Sequence, residues 1–256
     1  MTSLAAFVDR YRDTTPPTPR RAWSDFLRRA FLPSLGLWLV VAGLGLLIVG
    51  PLNGLEGEAA ANAWLQEGRT PLLDDATYVV SKLGNTSAMF VVCVLVGALL
   101  WWRTREWWVA VLPVMALTLE QYIFLTATTL VGRGRPDVAL DEAPPTSGYP
   151  SGHVGASVAF YVTFALLAQH IRRPVLRWAI TAVCLLMPVL TVFARLYRGM
   201  HHPSDVVVGA LTGLTCVVLA WRYLRRDEPQ DDGGRTAADA GQAAGQTRAY
   251  LARAKE

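Results

Sequence analysis

The sequence predicts an all-α protein, a bundle of six transmembrane helices. Three observations lead to this prediction: 52% of the 256 residues are hydrophobic, only 17% are charged, and the charges are absent from several long runs. Crossing about 30 Å of hydrocarbon takes about 20 apolar residues in a helix. A soluble all-α protein is the alternative, but too little polar sequence remains to cover so large a core. The predicted spans lie near residues 31–50, 84–102, 107–130, 153–171, 176–194 and 205–223.

Each predicted span corresponds to a run without Asp, Glu, Lys or Arg. In chain order the runs are 30–55, 83–102, 107–119 continued by 121–132, 153–171, 178–194 and 206–221. The first run follows about thirty polar and basic residues and is too long for the apolar region of a cleavable signal peptide. The three cysteines, Cys93, Cys184 and Cys216, fall inside spans, so neither a disulfide framework nor a zinc site is predicted.

Basic residues concentrate beside one set of span ends. Four clusters fall on the same side of a six-span topology: Arg20, Arg21, Arg28 and Arg29; Arg103 and Arg105; Arg172, Arg173 and Arg177; and Arg222, Arg225 and Arg226. This positive-inside pattern predicts that both termini are cytoplasmic. The net charge of +4 is therefore explained by topology and not by a nucleic-acid partner. The loops on the other side are expected to face the extracytoplasmic space.

The chain divides into three parts by composition. Residues 1–30 are predicted to form a cytoplasmic N-terminal segment, 31–223 the six-span domain, and 224–256 a disordered cytoplasmic tail rich in Asp, Gly, Ala and Gln. Between the first two spans, 58–67 and 74–83 have helical periodicity. We expect these two helices to lie along the membrane interface or to cover the bundle.

A histidine and an aspartate, four residues apart, lie between the last two spans. Pro203 fits the first turn of a helix, which puts His201 just before that helix and Asp205 early within it. Asp205 is expected to accept the Nδ1–H of His201 and to leave Nε2 free to attack. An ordinary polar helix cap is the alternative explanation of this pair.

A second polar segment, Pro150-Ser151-Gly152-His153, precedes the fourth span. Backbone amides at a helix start bind anions, and the hydroxyl of Ser151 adds a donor. His153 then stands where an imidazole protonates a leaving oxygen. The alternative is a common capped helix start.

A third segment ends the third span with Arg133 and Arg135 on either side of Gly134. Arginine presents a planar fork that fits phosphate oxygens. Snorkelling of Arg133 to a lipid headgroup is the alternative. All three segments are predicted on one side of the membrane, and together they suit phosphoryl transfer through a histidine.

These segments resemble the motifs of the type-2 phosphatidic acid phosphatase family, the integral-membrane lipid phosphate phosphatases. That family's pattern is Lys-x6-Arg-Pro, then Pro-Ser-Gly-His, then Ser-Arg-x5-His-x3-Asp. This chain has Thr128-x6-Arg135-Pro136, then Pro150-Ser151-Gly152-His153, then Ala194-Arg195-x5-His201-x3-Asp205. With the six-span layout, the resemblance covers roughly residues 30–223.

The resemblance implies a role for each matching residue. His201 would be the nucleophile that forms a phosphohistidine, Asp205 would orient it, and His153 would be the general acid. Four groups would hold the phosphate oxygens: the side chains of Arg135, Arg195 and Ser151 and the amide of Gly152. The family uses no metal or other cofactor, because guanidiniums and amides supply the electrostatic stabilisation.

The chain departs from the family pattern at two positions. Thr128 stands where the family has Lys, and Ala194 stands where it has Ser. A threonine donates one neutral hydrogen bond but does not neutralise a phosphate oxygen. Arg133 is therefore a candidate for the missing charge.

Glu120 is an acid inside the third span, two helical turns before Thr128. An intramembrane acid is a functional candidate by default. One hypothesis is that Glu120 reaches toward the pocket and pairs with a basic residue there. The alternative is a hydrogen-bonded helix-packing contact that involves Gln121 or Tyr122.

We expect a phosphatase that hydrolyses a phosphomonoester or pyrophosphate on a membrane lipid at the outer leaflet. Candidate substrates are phosphatidic acid, phosphatidylglycerol phosphate, prenyl pyrophosphates and glycolipid phosphates. One alternative is a lipid phosphotransferase with the same phosphohistidine. Another is a catalytically weak lipid-binding membrane protein. The vanadate-dependent haloperoxidases also resemble this triad but are soluble, and the six spans argue against them.

Overall fold

The computed structural model describes residues 7–12, 14–55, 57–137 and 146–225, and every regular element in these ranges is helical. A short 3-10 helix, Asp9–Arg12, comes first. The helices that follow are α1 (Pro19–Val49), α2 (Glu58–Glu67), α3 (Pro71–Leu83), α4 (Thr86–Thr104), α5 (Trp107–Val131), α6 (Gly152–Ala168), α7 (Pro174–Tyr197) and α8 (Pro203–Trp221). The all-α prediction is confirmed, and so are the two helices predicted between the first two spans.

Within the described ranges, α1, α4, α5, α7 and α8 are long and apolar enough to cross a membrane. The remaining apolar helix, α6, has 17 residues and is shorter than the usual span. Large apolar side chains stay exposed on the outer helices, including Leu39 at 63%, Leu95 at 63% and Val189 at 62%. Such exposure suits contact with lipid and does not suit the soluble all-α alternative.

Helix ends near the polar segments follow from local sequence. Pro203 occupies the first turn of α8, as predicted, and Asn85 caps α4 by accepting a hydrogen bond from the amide of Ala88 at 3.0 Å. Gly132 ends α5 in the left-handed conformation, with a φ of 66°. A residue without a Cβ adopts this conformation at little cost. The chain therefore turns immediately before Arg133.

Helix α6 lies at the centre of the bundle and packs against α5, α7 and α8. Its contact with α8 depends on glycines. A Cβ on Gly209 would lie 2.5 Å from the backbone oxygen of Ser151, and a Cβ on Gly213 would lie 2.4 Å from that of Gly155. Small residues at a helix interface let two backbones approach closely. This close approach puts the N-terminal ends of α6 and α8 side by side.

The two ends of α8 have different surroundings. At its N-terminal end, α2 packs against α7 and α8, and α3 packs against α7. At the C-terminal end of α8, Tyr11 anchors the N-terminal segment. The Tyr11 hydroxyl donates to the carbonyl of Trp221 at 3.0 Å. Trp221 in turn donates through Nε1 to the carbonyl of Phe7 at 2.7 Å. Residues 7–12 therefore contact the end of α8 that is remote from Asp205.

Candidate active site

His201 lies in the loop between α7 and α8 and is 3% exposed. Its Nδ1 is 2.7 Å from the backbone oxygen of Gly148. A carbonyl oxygen only accepts hydrogen bonds, so Nδ1 carries a proton, and in the neutral imidazole Nε2 keeps its lone pair. The Nε2 atom is thus in the state that a nucleophile requires.

The hydrogen bond predicted between Asp205 and His201 is wrong. One Asp205 oxygen accepts the backbone N–H of His202 at 2.8 Å, and the other accepts from Nη1 of Arg133 at 2.5 Å. An aspartate in the first turn of a helix accepts a hydrogen bond from the amide of the N-cap residue. Here the buried guanidinium of Arg133 bonds to the remaining oxygen in place of His201. The backbone oxygen of Gly148 accepts the Nδ1–H of His201, the hydrogen bond that the sequence analysis assigns to Asp205.

Arg133 is 5% exposed, and acceptors surround its two terminal nitrogens. Nη1 donates to Asp205 and, at 2.7 Å, to the hydroxyl of Ser204. Nη2 donates to Glu58 at 2.8 Å and to the carbonyl of Gly54. With these bonds made, the guanidinium has no fork left to offer a phosphate. In the structure Arg133 therefore holds two carboxylates and does not present a free guanidinium as the predicted phosphate ligand would.

The start of α6 has an unused donor. Ser151 is fully buried, yet its hydroxyl neither caps α6 nor bonds to any other group in the described ranges. Its amide donates to the backbone oxygen of Asp205 at 3.0 Å, which holds this residue beside α8. A buried hydroxyl next to helix N-terminal amides is suited to an anionic oxygen. Gly152 follows, and a Cβ there would lie 2.7 Å from the ring of Phe124.

Two of the predicted arginines act electrostatically on His201. The pKa of His201 is held well below its ordinary range, first by burial and then by the positive charges of Arg195 and Arg135. The hydrogen bond to Gly148 opposes this shift, and His153 adds to it. An influence of this kind weakens with distance, so Arg195, Arg135 and His153 lie near enough to His201 to affect its pKa.

The two guanidiniums are supported from different elements. Arg135 donates through Nη1 to the carbonyl of Met200 at 2.8 Å. Burial lowers the pKa of Arg135, and the charge of Asp205 raises it. Arg195 is 4% exposed and donates to the hydroxyl of Ser81, on α3, at 2.8 Å. Hydrogen bonds to Met200 and Ser81 thus orient both guanidiniums.

Thr128 and Glu120 have structural partners. The hydroxyl of Thr128 lies 3.4 Å from the carbonyl of Ser147, next to Gly148. Glu120 is 1% exposed and accepts a hydrogen bond from Gln121 at 2.7 Å. Among the described residues no basic side chain pairs with Glu120, and the alternative of a packing contact that involves Gln121 fits the structure. A Cβ on Gly155 would lie 2.1 Å from a Glu120 oxygen, so Glu120 fills the space beside α6.

Sequence reasoning missed three contributors to the site. Gly148 acts through its backbone oxygen, for which no side-chain pattern exists. On α2, Asn62 bonds to the backbone of His201 and Glu58 bonds to Ser204 in the first turn of α8. Their spacing of four, continued at Gln66, puts three polar side chains on one helix face and was a usable signal. In the described ranges, no three His, Cys, Asp or Glu side chains form a group that could hold a metal ion.

Comparison with known proteins gives one family. The sequence model of the PAP2 superfamily matches residues 107–229. Phosphatidylglycerophosphatase B of Bacillus subtilis is 25% identical over 155 residues, which cover 59% of this chain and 75% of that protein. Decaprenylphosphoryl-5-phosphoribose phosphatase of Mycolicibacterium smegmatis is 31% identical over 144 residues, which cover 56% of this chain and 73% of that protein.

Two solved structures have a similar fold. The crystal structure of a transmembrane PAP2-type phosphatidylglycerolphosphate phosphatase from Bacillus subtilis aligns with a TM-score of 0.61 and 21% identity. That alignment covers 74% of this chain and 92% of the other. LpxE of Aquifex aeolicus aligns with a TM-score of 0.51 and 24% identity, over 64% of this chain and 94% of the other. At these identities the likeness concerns the fold.

Proposed function

The chain belongs to the PAP2 superfamily, and from this membership we propose that it hydrolyses a phosphomonoester or pyrophosphate on a membrane lipid through a phosphohistidine. It is a multi-pass integral membrane protein and an enzyme of the phosphatase type. The observation that carries the proposed mechanism is the tautomer of His201, with Nδ1 donating to Gly148 and Nε2 free.

The first step forms the phosphoenzyme. Nε2 of His201 attacks phosphorus, an N–P bond forms, and the P–O bond to the lipid breaks. His153 gives its proton to the departing oxygen, which leaves as the lipid alcohol or, from a pyrophosphate, as the lipid monophosphate. Four groups stabilise the charge on the phosphoryl oxygens: the guanidiniums of Arg135 and Arg195, the Ser151 hydroxyl and the Gly152 amide.

The second step returns the enzyme to its starting state. His153 takes a proton from water as the water oxygen attacks phosphorus. The N–P bond breaks, inorganic phosphate leaves, and Nε2 recovers its lone pair. Asp205 contributes indirectly in this mechanism, because its carboxylate holds the amide of His202 and the guanidinium of Arg133. Thr128 supports Ser147, the neighbour of Gly148.

The substrate class follows from the relatives. The names of the two curated relatives describe phosphatases of phosphatidylglycerol phosphate and of a decaprenylphosphoryl phosphoribose. Both substrates carry a phosphomonoester on a lipid. We extend this class to the present chain, with phosphatidic acid, phosphatidylglycerol phosphate, prenyl pyrophosphates and glycolipid phosphates as candidates.

The proposed topology puts both termini in the cytoplasm and the site at the extracytoplasmic surface. The basic clusters at one set of helix ends support this orientation. The N-terminal segment also contacts the end of α8 opposite to His201. We retain the division into a cytoplasmic segment (1–30), a six-span domain (31–223) and a cytoplasmic tail (224–256).

Phosphate release from a panel of lipid phosphates in mixed micelles tests the function. We expect the unmutated protein to release inorganic phosphate and His201→Ala to release none. His202→Ala is the matched control, because the neighbouring histidine bonds to Asp205 through its backbone N–H. That variant is expected to keep most of the activity.

Three outcomes would contradict the proposal. Turnover retained by His201→Ala would exclude the phosphohistidine. Transfer of labelled phosphate to a second alcohol, with no free phosphate, would mean a phosphotransferase. An unmutated protein that is folded but inactive on every lipid phosphate would favour the lipid-binding alternative.

A further inference from the structure

One face of α2 bonds to the loop that carries the nucleophile. Glu58, Asn62 and Gln66 are spaced by four residues, so their side chains lie in a row along the helix. They contact the segment from Tyr197 to Ser204 at three successive points. This helix lies far in sequence from the three motif segments.

The middle contact is made to the nucleophile residue itself. Nδ2 of Asn62 donates to the backbone oxygen of His201 at 3.1 Å. Asn62 is 1% exposed, and its Oδ1 accepts no hydrogen bond from the described residues. The side chain of Asn62 therefore makes one hydrogen bond to the described residues, and this bond holds the main chain of His201. Gly148 holds the ring of the same residue, so the imidazole is restrained at both its backbone and its side chain.

The first contact restrains the next turn of the chain. Oε1 of Glu58 accepts the backbone N–H of Ser204 at 2.7 Å, and Oε2 accepts the Ser204 hydroxyl at 2.9 Å. Pro203 has no N–H, so Ser204 supplies the first amide of α8. A carboxylate at this position caps the helix and suits its dipole. Oε2 also pairs with Arg133, which in turn holds Asp205.

The third contact lies further from the chemistry. Nε2 of Gln66 donates to the backbone oxygen of Tyr197 at 3.1 Å, the same type of bond and the same length as the Asn62 bond. Tyr197 is the last residue of α7, four residues before His201. Gln66 therefore serves as an internal comparison for Asn62.

We propose that Asn62 and Glu58 are positioning residues for His201, a role that rests on the proposed phosphohistidine mechanism. Neither side chain touches the phosphate. They fix the main chain on both sides of the imidazole, so that Nε2 lies in line with the phosphorus. A misplacement of about 1 Å at a reacting centre costs on the order of 100-fold in rate. Their loss should therefore lower kcat and leave the binding of phosphate nearly unchanged.

Two variants of Asn62 isolate its hydrogen bond. Asn62→Asp and Asn62→Leu keep the approximate size of the side chain and both remove the Nδ2–H donor, but only the first adds charge. We expect kcat to fall roughly 10- to 100-fold in both. Both KM for the lipid phosphate and the inhibition constant of inorganic phosphate should stay within about threefold of the unmutated values. Gln66→Leu should lower kcat by less than about threefold.

Glu58 is tested by a graded pair of substitutions. Glu58→Gln keeps acceptor and donor atoms near Ser204 but loses the charge, whereas Glu58→Ala removes the cap altogether. We expect kcat to fall more in Glu58→Ala than in Glu58→Gln. Glu67→Gln, on the exposed face of the same helix, is the control and should match the unmutated protein.

Each variant is first checked for a single thermal transition in detergent, so that kinetics are read on folded protein only. Normal kcat in folded Asn62→Asp and Asn62→Leu overturns the proposal. An equal loss in Gln66→Leu overturns it too, since it would mean a general structural role. A loss confined to Asn62→Asp would assign the effect to the added charge and not to the lost bond. His201→Ala is run alongside: if that variant stays active, the proposed mechanism fails, independently of α2.

Discussion

Arg133 has two competing roles, one from the sequence and one from the structure, and Arg133→Gln distinguishes them. The sequence suggests a phosphate ligand that replaces the missing charge at position 128. In the structure, Arg133 pairs with Asp205 at 2.5 Å and with Glu58 at 2.8 Å. Glutamine keeps hydrogen-bonding atoms but removes the positive charge between the two carboxylates.

The expected loss of stability can be worked from burial. The side chains of Arg133 and Asp205 are 4% and 0% exposed, and that of Glu58 is 15% exposed. Removing one partner of a buried ion pair costs about 3–5 kcal/mol, because the remaining charge is left without compensation. In a domain of 150–250 residues, each 1 kcal/mol shifts Tm by about 2–4 °C. We therefore expect the Tm of Arg133→Gln to fall by roughly 6–20 °C.

Thermal unfolding in detergent and steady-state kinetics form the assay. Arg133→Gln should unfold at a lower temperature and, while still folded, lose kcat. Adding Glu58→Gln removes one of the two stranded carboxylates, so the double variant should recover part of the lost Tm. A variant with unchanged Tm and kcat but a KM raised tenfold or more would refute the reasoning, since that is how a phosphate ligand behaves.

Two further predictions follow from the site and the bundle. In the proposed mechanism His201 attacks as the neutral imidazole. The pKa of His201 lies well below the ordinary range, so the acid limb of the kcat/KM profile should have its midpoint below pH 6.5. Arg135→Gln removes a positive charge that lowers this pKa, so the limb should move up in pH; an unmoved limb in a pH profile on the same substrate would contradict this electrostatic account. Gly209→Ala puts a Cβ 2.5 Å from the Ser151 oxygen and should cost about 1–3 kcal/mol with a loss of kcat. Gly43→Ala is its control, because outside its own stretch of helix no atom lies within 4 Å of the new Cβ, and equal Tm values for the two variants would count against the α6–α8 packing.

The apolar pattern was enough to predict the helices. Each of the six predicted segments lies on a helix, because a charge-free run of this length is stable in lipid only as a helix. The bounds agree within a few residues except at the start of α1, which begins at Pro19 and not near residue 31. The motif spacing selects His153 and His201 as candidates, which stays a prediction, and Pro203 was enough to predict the start of α8. Local chemistry determines all of these features, and it is readable from neighbouring residues.

The partners of the charged groups were not predictable in the same way. Asp205 was expected to hold His201, yet it pairs with Arg133, which lies 72 residues earlier in the chain. A short side chain in a first helical turn has several acceptable donors within reach, and the sequence does not rank them. The ranking depends on which donors the fold buries nearby. The same reason explains why Arg133 was interpreted as a phosphate ligand.

By itself, the sequence determined the all-α membrane architecture and the residue types of the site, because hydrophobic runs and short motifs act locally. Only the tertiary structure decided how the site is held together. The carbonyl of Gly148 sets the tautomer of His201, Arg133 is enclosed by two carboxylates, and α2 bonds to the loop of His201. These contacts join residues far apart in the chain. Close packing through Gly209 and Gly213 brings the helix ends together. Burial then favours partners for the carboxylates of Glu58 and Asp205, while the Ser151 hydroxyl stays without one in the described ranges.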